Sequence, residues 1–257
     1  MSIFGSIKFV DLKQHNMQNI TYNLSDIKER LHNSKAVTVL TGAGISAESG
    51  VPTFRGNNGL WKNFRPEDLA TPEAFKSNPK LVWEWYDWRR RTLSTIKPNP
   101  AHIAIAEIEK RVKEFTLITQ NVDGLHQLAG SKNVIELHGN IWRVKCLSCG
   151  RVSENREAPI RILPYCSCGG LLRPAVVWFG EMLEDNNLMK AVAAIDKCEF
   201  MFVVGTSGVV QPAASLALRA KDEGAFVVEV NIERTPLSAS VDETCLGKAG
   251  DILPQLL

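Results

Sequence analysis

Short apolar runs and longer mixed segments alternate along this chain, and they predict strands and helices in turn. Runs of apolar residues with few polar interruptions are typical of strands that are buried on both faces of a parallel sheet. Five runs predict such strands, at residues 36–40, 115–119, 134–137, 201–204 and 226–230. Helical periodicity lies between several of them, at 25–33 with Ser25 as its cap, at 100–114 and at 211–223. This alternation favours an α/β fold with helices on both faces of the sheet.

Two stretches interrupt the pattern. Residues 57–98 are rich in Trp, Pro and helix formers without a clear strand, and 143–173 hold four of the six cysteines. We expect a Rossmann-like doubly wound parallel sheet, and a second, smaller domain that combines a helical module with the cysteine-bearing module. The expected bounds are 20–56, 99–142 and 174–257 for the large domain, and 57–98 and 143–173 for the small one. A cleft between the two domains would be the natural place for a site.

A glycine-rich turn follows the first predicted strand. Residues 42–47 read Gly-Ala-Gly-Ile-Ser-Ala, a pattern that lets backbone amides approach a pyrophosphate, although many such matches are only tight turns. Its position after a buried strand favours a dinucleotide site. A hydride-transferring dehydrogenase would continue into a helix, a strand and an acidic residue. Here Gly50, Pro52 and Gly56 break any long helix. The turn therefore predicts an NAD site that serves another reaction.

Polar residues follow three further strands. Gln120, Asn121 and Asp123 lie in the segment Thr-Gln-Asn-Val-Asp-Gly-Leu-His at 119–126, and they suit ribose hydroxyls and an amide. A turn with an Asn or Asp cap would explain the same residues. Residues 205–207, Gly-Thr-Ser, and Asn231 occupy equivalent strand ends, where ligands of open α/β sheets collect.

His138 follows the third predicted strand and precedes Gly139. A lone histidine more often packs in a core than reacts. Its place beside a candidate nucleotide site nevertheless favours a general base, because an unperturbed imidazole pKa near 6.5 suits proton abstraction at neutral pH.

Four cysteines fall into two close pairs. They are Cys146, Cys149, Cys166 and Cys168, and four thiolates suffice for one tetrahedral Zn²⁺ with no open position. A structural zinc is therefore predicted, in preference to disulfides. The second pair is one residue shorter than the usual C-x-x-C, which leaves its local geometry open. The isolated Cys198 and Cys245 are expected to be inert packing residues.

Charge and targeting signals narrow the class of protein. Lys and Arg number 30 against 28 Asp and Glu, a formal net charge of +2. This balance lacks the basic excess of a nucleic-acid binder. No apolar run approaches the roughly 18 residues of a membrane span, and the first 20 residues do not resemble a signal peptide. We expect a cytoplasmic protein without membrane or direct nucleic-acid binding.

These motifs together resemble the sirtuin family of NAD-dependent protein deacylases. The resemblance runs from about residue 35 to the end of the chain. Besides the glycine turn, 119–126, His138-Gly139 and the cysteines, it includes Gly-Val-Pro-Thr-Phe-Arg-Gly at 50–56, Val-Val-Trp-Phe-Gly-Glu at 176–181, 205–207 and Gly-Lys-Ala-Gly at 247–250.

The resemblance implies a role for each matching residue. His138 and Asn121 would be catalytic, and one structural Zn²⁺ would sit on the cysteines. Val176, Val177 and Phe179 would pair with the substrate peptide as an added strand. NAD, the co-substrate, would be held by Gly42, Ala43, Gly44, Ala47, Phe54, Arg55, Trp61, Gln120, Asn121, Asp123, Gly205, Thr206, Ser207, Asn231, Glu233 and Ala249.

The resemblance also implies a reaction. The carbonyl oxygen of an acyl-lysine in a partner protein attacks the ribose carbon that bears nicotinamide, and an alkylimidate forms. His138 then serves as the base for the ribose hydroxyl that attacks the imidate carbon. The products are free lysine, O-acyl-ADP-ribose and nicotinamide, which is also expected to inhibit.

Tyr86 and Arg89 bear on the choice of acyl group. Residues three apart are neighbours on one face of a helix. Aromatic helix residues usually pack, and a run of three arginines such as 89–91 usually faces water. The spacing nevertheless resembles the Tyr/Arg pair of the sirtuin branch that accepts succinyl- and malonyl-lysine, in which a guanidinium pairs with the acyl carboxylate.

Two other functions fit part of the pattern. One is a non-catalytic NAD-sensing or protein-binding module, against which the presence of both Asn121 and His138 argues. The other is mono-ADP-ribosyl transfer to protein, which shares the first chemical step. Labelled NAD separates this transfer from deacylation by showing whether the label ends on protein.

Overall fold

The structure, a computed structural model, describes residues 23–53 and 65–257, and these residues form two β-sheets. One sheet has six parallel strands in the order β3-β2-β1-β7-β8-β9, and the other has three antiparallel strands in the order β5-β4-β6. The strands are β1 Ala36–Thr41, β2 Glu114–Thr119, β3 Val134–Glu136, β4 Gly139–Cys146, β5 Val152–Glu154, β6 Leu172–Val176, β7 Phe200–Val204, β8 Phe226–Asn231 and β9 Glu243–Leu246.

Ten α-helices and two 3-10 turns accompany these strands in the described part of the chain. The helices are α1 Leu24–Asn33, α2 Ala43–Ala47, α3 Pro66–Leu69, α4 Pro72–Ser77, α5 Pro79–Ser94, α6 Pro100–Arg111, α7 Leu125–Leu128, α8 Asp185–Ile195, α9 Ala213–Asp222 and α10 Ala249–Ile252, and the 3-10 turns are Pro236–Ala239 and Leu253–Leu256. Among them, none combines the length and apolar character needed to cross a membrane.

The five predicted strands are confirmed to within one residue at each end. Three other expectations about the elements are wrong. Helix α6 ends at Arg111 rather than at 114, because Glu114 already pairs with Ala36 in the sheet. Helix α9 starts at Ala213 rather than at 211. The cap of α1 is Asn23 rather than Ser25, since the Asn23 side chain accepts from the amide of Asp26 at 3.2 Å.

Alternate residues of the central strands enter two different cores. Phe200 and Phe202 pack with α1, α6 and α10, whereas Met201 and Val203 pack with α8 and α9. Successive side chains of a strand point to opposite faces of the sheet, so a strand covered by helices on both sides must be apolar throughout. The doubly wound α/β fold is thereby confirmed.

A third core joins the helices α3–α5 to the three-stranded sheet. Trp83, Trp85, Trp142 and Trp178 are among its buried residues. The predicted limits of the small domain stay a prediction. Two of them, at 142/143 and 173/174, fall inside strands β4 and β6 of this sheet.

The arginine run on α5 is mostly buried rather than exposed. Arg90 has no exposed surface and donates to the carbonyl of Ile141 at 2.9 Å and to Asn155 Oδ1 at 2.6 Å. Only Arg91 faces water, where it pairs with Asp87. Burial lowers the pKa of Arg90 to about 10, so it stays charged at neutral pH. Arg90 thus fastens α5 to the three-stranded sheet through neutral acceptors.

The turns after β1 and β7 touch through their backbones. The amide of Gly44 donates to the carbonyl of Gly205 at 2.7 Å. A Cβ on Gly205 would lie 2.4 Å from the nitrogen of Ile45, and its φ of +60° is left-handed. Only glycine combines this conformation with so close an approach.

We expect Gly205→Ala to destabilise the protein by about 1–3 kcal/mol more than Gly224→Ala, because overpacking adds to the strain of the left-handed backbone. Gly224 is a matched control, since its φ is +91° and a Cβ there would meet nothing within 4 Å. Urea unfolding of the two variants measures the difference. Equal losses would show that the added methyl group at Gly205 causes no overpacking.

Candidate active site

Strands β1, β2, β7 and β8 place the predicted polar residues together at the carboxyl edge of the parallel sheet. The side-chain nitrogen Nδ2 of Asn121 donates to the carbonyl of Gly42 at 3.0 Å. Gln120 Nε2 donates to Thr206 Oγ1 at 3.1 Å, and Asn231 Nδ2 donates to the Thr206 carbonyl at 2.8 Å. The glycine turn, the loop after β2 and residues 205–207 therefore form one cluster whose side chains both donate and accept. This donor set fits the hydroxyls and phosphates of a dinucleotide.

Asp123 is buried and forms a hydrogen bond with Ser46 of the glycine turn. Its Oδ2 accepts from the Ser46 hydroxyl at 2.8 Å, and its Oδ1 accepts from the amide of Leu125 at 2.9 Å. Burial raises the pKa of Asp123, while these two hydrogen bonds lower it. Ser46 also accepts from Asn121 Nδ2 at 3.2 Å. Sequence reasoning missed Ser46 as a site residue, although it lies within the glycine motif.

Two buried histidines support the same loops and were not predicted. His126 Nε2 lies 2.9 Å from Thr41 Oγ1, and His102 Nε2 lies 3.4 Å from Ser46 Oγ. Burial lowers the pKa of His102 to about 4 and that of His126 well below its ordinary value. Both are therefore neutral at physiological pH and act as hydrogen-bonding groups. His126 belongs to the 119–126 motif, but no pattern marked His102.

His138 lies half-buried in the turn between β3 and β4. Its Nδ1 is 3.0 Å from the carbonyl oxygen of Gln120. A carbonyl can only accept, so the proton of neutral His138 lies on Nδ1, and Nε2 carries the lone pair. Burial lowers the pKa of His138 below 6.5, and this hydrogen bond raises it in part. The arrangement presents a neutral imidazole nitrogen that can take a proton.

The four cysteines converge at the end of the three-stranded sheet. Their sulfurs all lie within 4.8 Å of one another, with Cys146 and Cys168 at 3.5 Å and Cys149 and Cys166 at 3.9 Å. A tetrahedron with Zn–S bonds of about 2.3 Å has sulfurs about 3.8 Å apart. The cluster thus fits one structural Zn²⁺, and the short second spacing does not prevent it.

The other two cysteines are buried in the parallel-sheet domain, as predicted. Burial raises the pKa of the Cys198 thiol, and it raises the pKa of the Cys245 thiol to about 12. Neither forms a thiolate near neutral pH, so their inert role as packing residues is consistent with their surroundings.

Tyr86 and Arg89 are both buried on α5, with 2% and 7% of their surfaces exposed. The Tyr86 hydroxyl accepts from the indole nitrogen of Trp178 at 2.9 Å. Burial raises the pKa of Tyr86 and lowers that of Arg89, which the charge of Asp123 partly restores. Arg89 also lines a small pocket with Val51, Pro52, Trp88, Thr92 and Leu93. The prediction that these two residues share a helix face is confirmed.

Strand β6 ends at Val176, and the expected pairing of the run 176–179 with a substrate peptide stays a prediction. The amide of Val177 donates to the carbonyl of His138 at 2.9 Å, and that of Phe179 donates to Ala70. The intervening Trp178 donates to Glu181. These three amides are therefore already bonded, so a peptide strand would have to pair with carbonyls.

An unpredicted ion pair fixes this segment. Arg173 donates to both carboxylate oxygens of Glu181, at 2.5 and 2.8 Å, and stacks 3.5 Å from the ring centre of Trp178. A bidentate pair of this kind sets geometry as well as energy.

The structure describes four more of the residues that were predicted to bind NAD. Ala249 is buried at the start of α10, where the amide of Gly250 donates to Glu48 at 3.1 Å, while Ala47, Ser207 and Glu233 are exposed. Phe54, Arg55 and Trp61 lie outside the described residues.

The comparisons with known proteins agree with this site. The chain matches the model of the Sir2 family over residues 42–212. It is 58% identical over 214 residues to NAD-dependent protein deacylase 1 of Caldanaerobacter subterraneus subsp. tengcongensis, which covers 82% of this chain and 88% of that protein. The chain therefore belongs to the Sir2 family.

Two solved structures share the fold. A Sir2 homologue in complex with NAD is 49% identical, has a TM-score of 0.85 and matches over 90% of this chain and 91% of its own. A Sir2 protein with a deacetylated p53 peptide and 3′-O-acetyl ADP-ribose is 32% identical, with a TM-score of 0.83 over 91% and 97% of the two chains.

We expect one zinc per chain in the purified protein, and a lower melting temperature after its removal by a chelator or in Cys149→Ser, because metal binding is coupled to folding. Metal analysis and thermal unfolding provide the measurements. Cys198→Ser is the control, because Cys198 lies in a core of the parallel sheet and outside the cysteine cluster, so the zinc content of this variant should stay unchanged. An apo protein with an unaltered melting temperature would contradict the prediction.

Proposed function

We propose that this protein removes acyl groups from protein lysines with NAD as co-substrate. The products would be nicotinamide, free lysine and O-acyl-ADP-ribose. The observation that carries the proposal is the imidazole of His138, which the Gln120 carbonyl holds with Nε2 unprotonated beside the Asn121 and Asp123 loop. The relative named an NAD-dependent protein deacylase supports the reaction class.

The residues that would hold NAD follow from the cluster at the sheet edge. Gly42, Ala43 and Gly44 would face the phosphates, Gln120, Asn121 and Asp123 the ribose and the nicotinamide amide, and Gly205, Thr206, Ser207 and Asn231 the remainder. When bound, NAD supplies a ribose carbon that accepts the acyl oxygen as nicotinamide leaves.

The protein contributes positioning and proton transfer. Asn121 and Ser46 fix the loop in which Asp123 lies, and His138 Nε2 accepts a proton from a ribose hydroxyl. Aligned reactants can account for a large part of a rate enhancement. Because His138 is neutral at pH 7, its base form needs no prior deprotonation.

The substrate protein would bind beside His138, at the end of β6. Val177 donates its amide to the His138 carbonyl, so this segment and the base are tied together. The neighbouring Val176 and Phe179 would contact the peptide backbone and side chains. The Sir2 structure that contains a deacetylated p53 peptide supports a protein substrate.

We expect His138→Ala to lower the deacylation rate by about 10² to 10⁴, the usual contribution of a general base, with NAD affinity nearly unchanged. The measurements are nicotinamide release and peptide deacylation with an acetyl-lysine peptide. A variant with near-normal turnover would exclude His138 as the base, and label from NAD on protein instead of on O-acyl-ADP-ribose would indicate ADP-ribosyl transfer.

The pH dependence follows from the lowered pKa of His138. The neutral base persists until the pH falls through that pKa, so the acid limb of the kcat/KM profile should lie below pH 6.5 and be absent in His138→Ala. A wild-type acid limb above pH 6.5 would contradict this assignment.

We further propose that the site accepts succinyl- and malonyl-lysine besides acetyl-lysine. The supporting observations are the burial of Arg89, its place with Trp88 in the lining of a small pocket, and its position three residues after the buried Tyr86 on α5. A buried guanidinium can pair with the carboxylate that a dicarboxylic acyl group carries, and such a pair is stronger in a desolvated site than at the surface.

We expect Arg89→Met to lower kcat/KM for a succinyl peptide, because the acyl carboxylate would be buried without its partner. The loss of transition-state stabilisation given by the ratio of kcat/KM values should be about 3 kcal/mol or more. Turnover of the acetyl peptide should change far less. Tyr86→Phe should cost the succinyl peptide about 0.5–1.5 kcal/mol, the contribution of a neutral hydrogen bond. Kinetics on the two peptides test both variants, and equal losses on both would mean that the pair only supports α5.

A further inference from the structure

The turn that carries His138 is closed by a hydrogen bond between side chains on either side of it. Glu136 is the last residue of β3, and its Oε1 accepts from Asn140 Nδ2, in β4, at 2.5 Å. His138 is the middle residue of this five-residue turn, and Gly139 provides its left-handed φ of +75°. Only 7% of Glu136 and 5% of Asn140 is exposed. The hydrogen bond between Glu136 and Asn140 therefore fixes the two ends of the turn that carries His138.

The same carboxylate reaches two further segments. Gln127 in α7 donates to Oε1 at 2.7 Å, and Arg143 in β4 donates to Oε2 at 2.6 Å. A carboxylate removed from water is costly unless donors replace the water, and here three side chains do so. Glu136 thus joins β3, β4 and the short helix that follows the Gln120 to Gly124 loop.

Asn140 connects Glu136 to the loop that contains Asp123. Its Oδ1 accepts from the amide of Trp142 at 2.8 Å, and the indole of Trp142 donates to the carbonyl of Asp123 at 2.8 Å. The amide of Ile141 also donates to the carbonyl of Val122 at 2.9 Å. Asn140 thus lies between the turn that carries His138 and the loop that contains Asp123.

We propose that Glu136 is a positioning residue for the deacylation, acting through the turn that carries His138. The inference rests on the proposed function. The carboxylate touches no reacting atom. Its effect is to hold the His138 imidazole at the distance and angle that proton transfer requires, and a displacement of about 1 Å can cost about 10²-fold in rate.

Glu136→Gln is the direct test, because the amide is isosteric but has one acceptor oxygen in place of two. Whichever way it turns, its NH₂ group faces another donor among Asn140, Gln127 and Arg143. We expect kcat for an acetyl-lysine peptide to fall about 10- to 100-fold, with KM for NAD and for the peptide within about twofold of wild type. A wild-type kcat in a folded Glu136→Gln protein would overturn the proposal.

Glu109→Gln is the matched control. The Glu109 carboxylate accepts from the amides of Lys132 and Asn133 at 2.9 and 2.8 Å, just before β3 begins. It thus secures the opposite end of the same strand without touching the His138 turn. At a comparable loss of melting temperature, we expect its kcat to stay within about threefold of wild type. Similar kcat losses in both variants would show that Glu136 only stabilises the fold.

A kinetic double-mutant cycle adds a readout that a purely structural role would not give. If Glu136 acts mainly by placing His138, Glu136→Gln should lower the residual single-turnover rate of His138→Ala by less than about threefold. Losses that multiply would overturn the proposal. Asn140→Ala, which leaves Gln127 and Arg143 on the carboxylate, provides a second variant and should show the same fall in kcat.

Wild-type turnover is measured first, so the two hypotheses fail differently. A wild-type protein that does not deacylate the peptide contradicts the proposed function and with it the role of Glu136. An active wild type with an equally active Glu136→Gln contradicts the positioning role alone.

Discussion

The contact between two glycine turns is the constraint on which the rest of the site depends. The amide of Gly42 donates to the carbonyl of Val204 at 3.0 Å, and that of Gly44 donates to Gly205 at 2.7 Å. These bonds continue the pairing of β1 and β7 past the ends of the strands. Thr206 is then held where Gln120 and Asn231 reach it from the neighbouring strands. Side chains on the turns would separate these loops and open the cluster.

The parts of the fold that were predicted from sequence are those that apolar burial decides. Each central strand is covered by helices on both faces, so its apolar run is visible without any partner. Strand β9 was missed because it is a short edge strand, Glu243–Leu246, in which only Cys245 is buried. The cysteine cluster was predictable because thiolates in close pairs have few other uses in a chain of this kind.

The parts of the site that were missed depend on pairs of residues distant in sequence. Arg90 is buried against carbonyls more than 50 residues away, which no local pattern of arginines shows. The bond from Ser46 to Asp123 spans 77 residues. Phe179 was expected from the family resemblance to pair with the substrate peptide, and no local pattern indicated that its amide donates to the carbonyl of Ala70. Local patterns identified the functional segments, but not the contacts that orient them.

The direction of the hydrogen bonds at the site is fixed by groups that can only accept. The Ser46 hydroxyl donates its hydrogen bond to the Asp123 carboxylate, so the Ser46 oxygen accepts from His102 Nε2. The other ring nitrogen, His102 Nδ1, accepts from the backbone amide of Asn99. The Gln120 carbonyl fixes His138 in the same way. Burial keeps His138 neutral by lowering its pKa, and the carbonyl of Gln120 decides which ring nitrogen carries the proton. This order needs no charged partner for His138, since the carbonyl of Gln120 alone selects the tautomer.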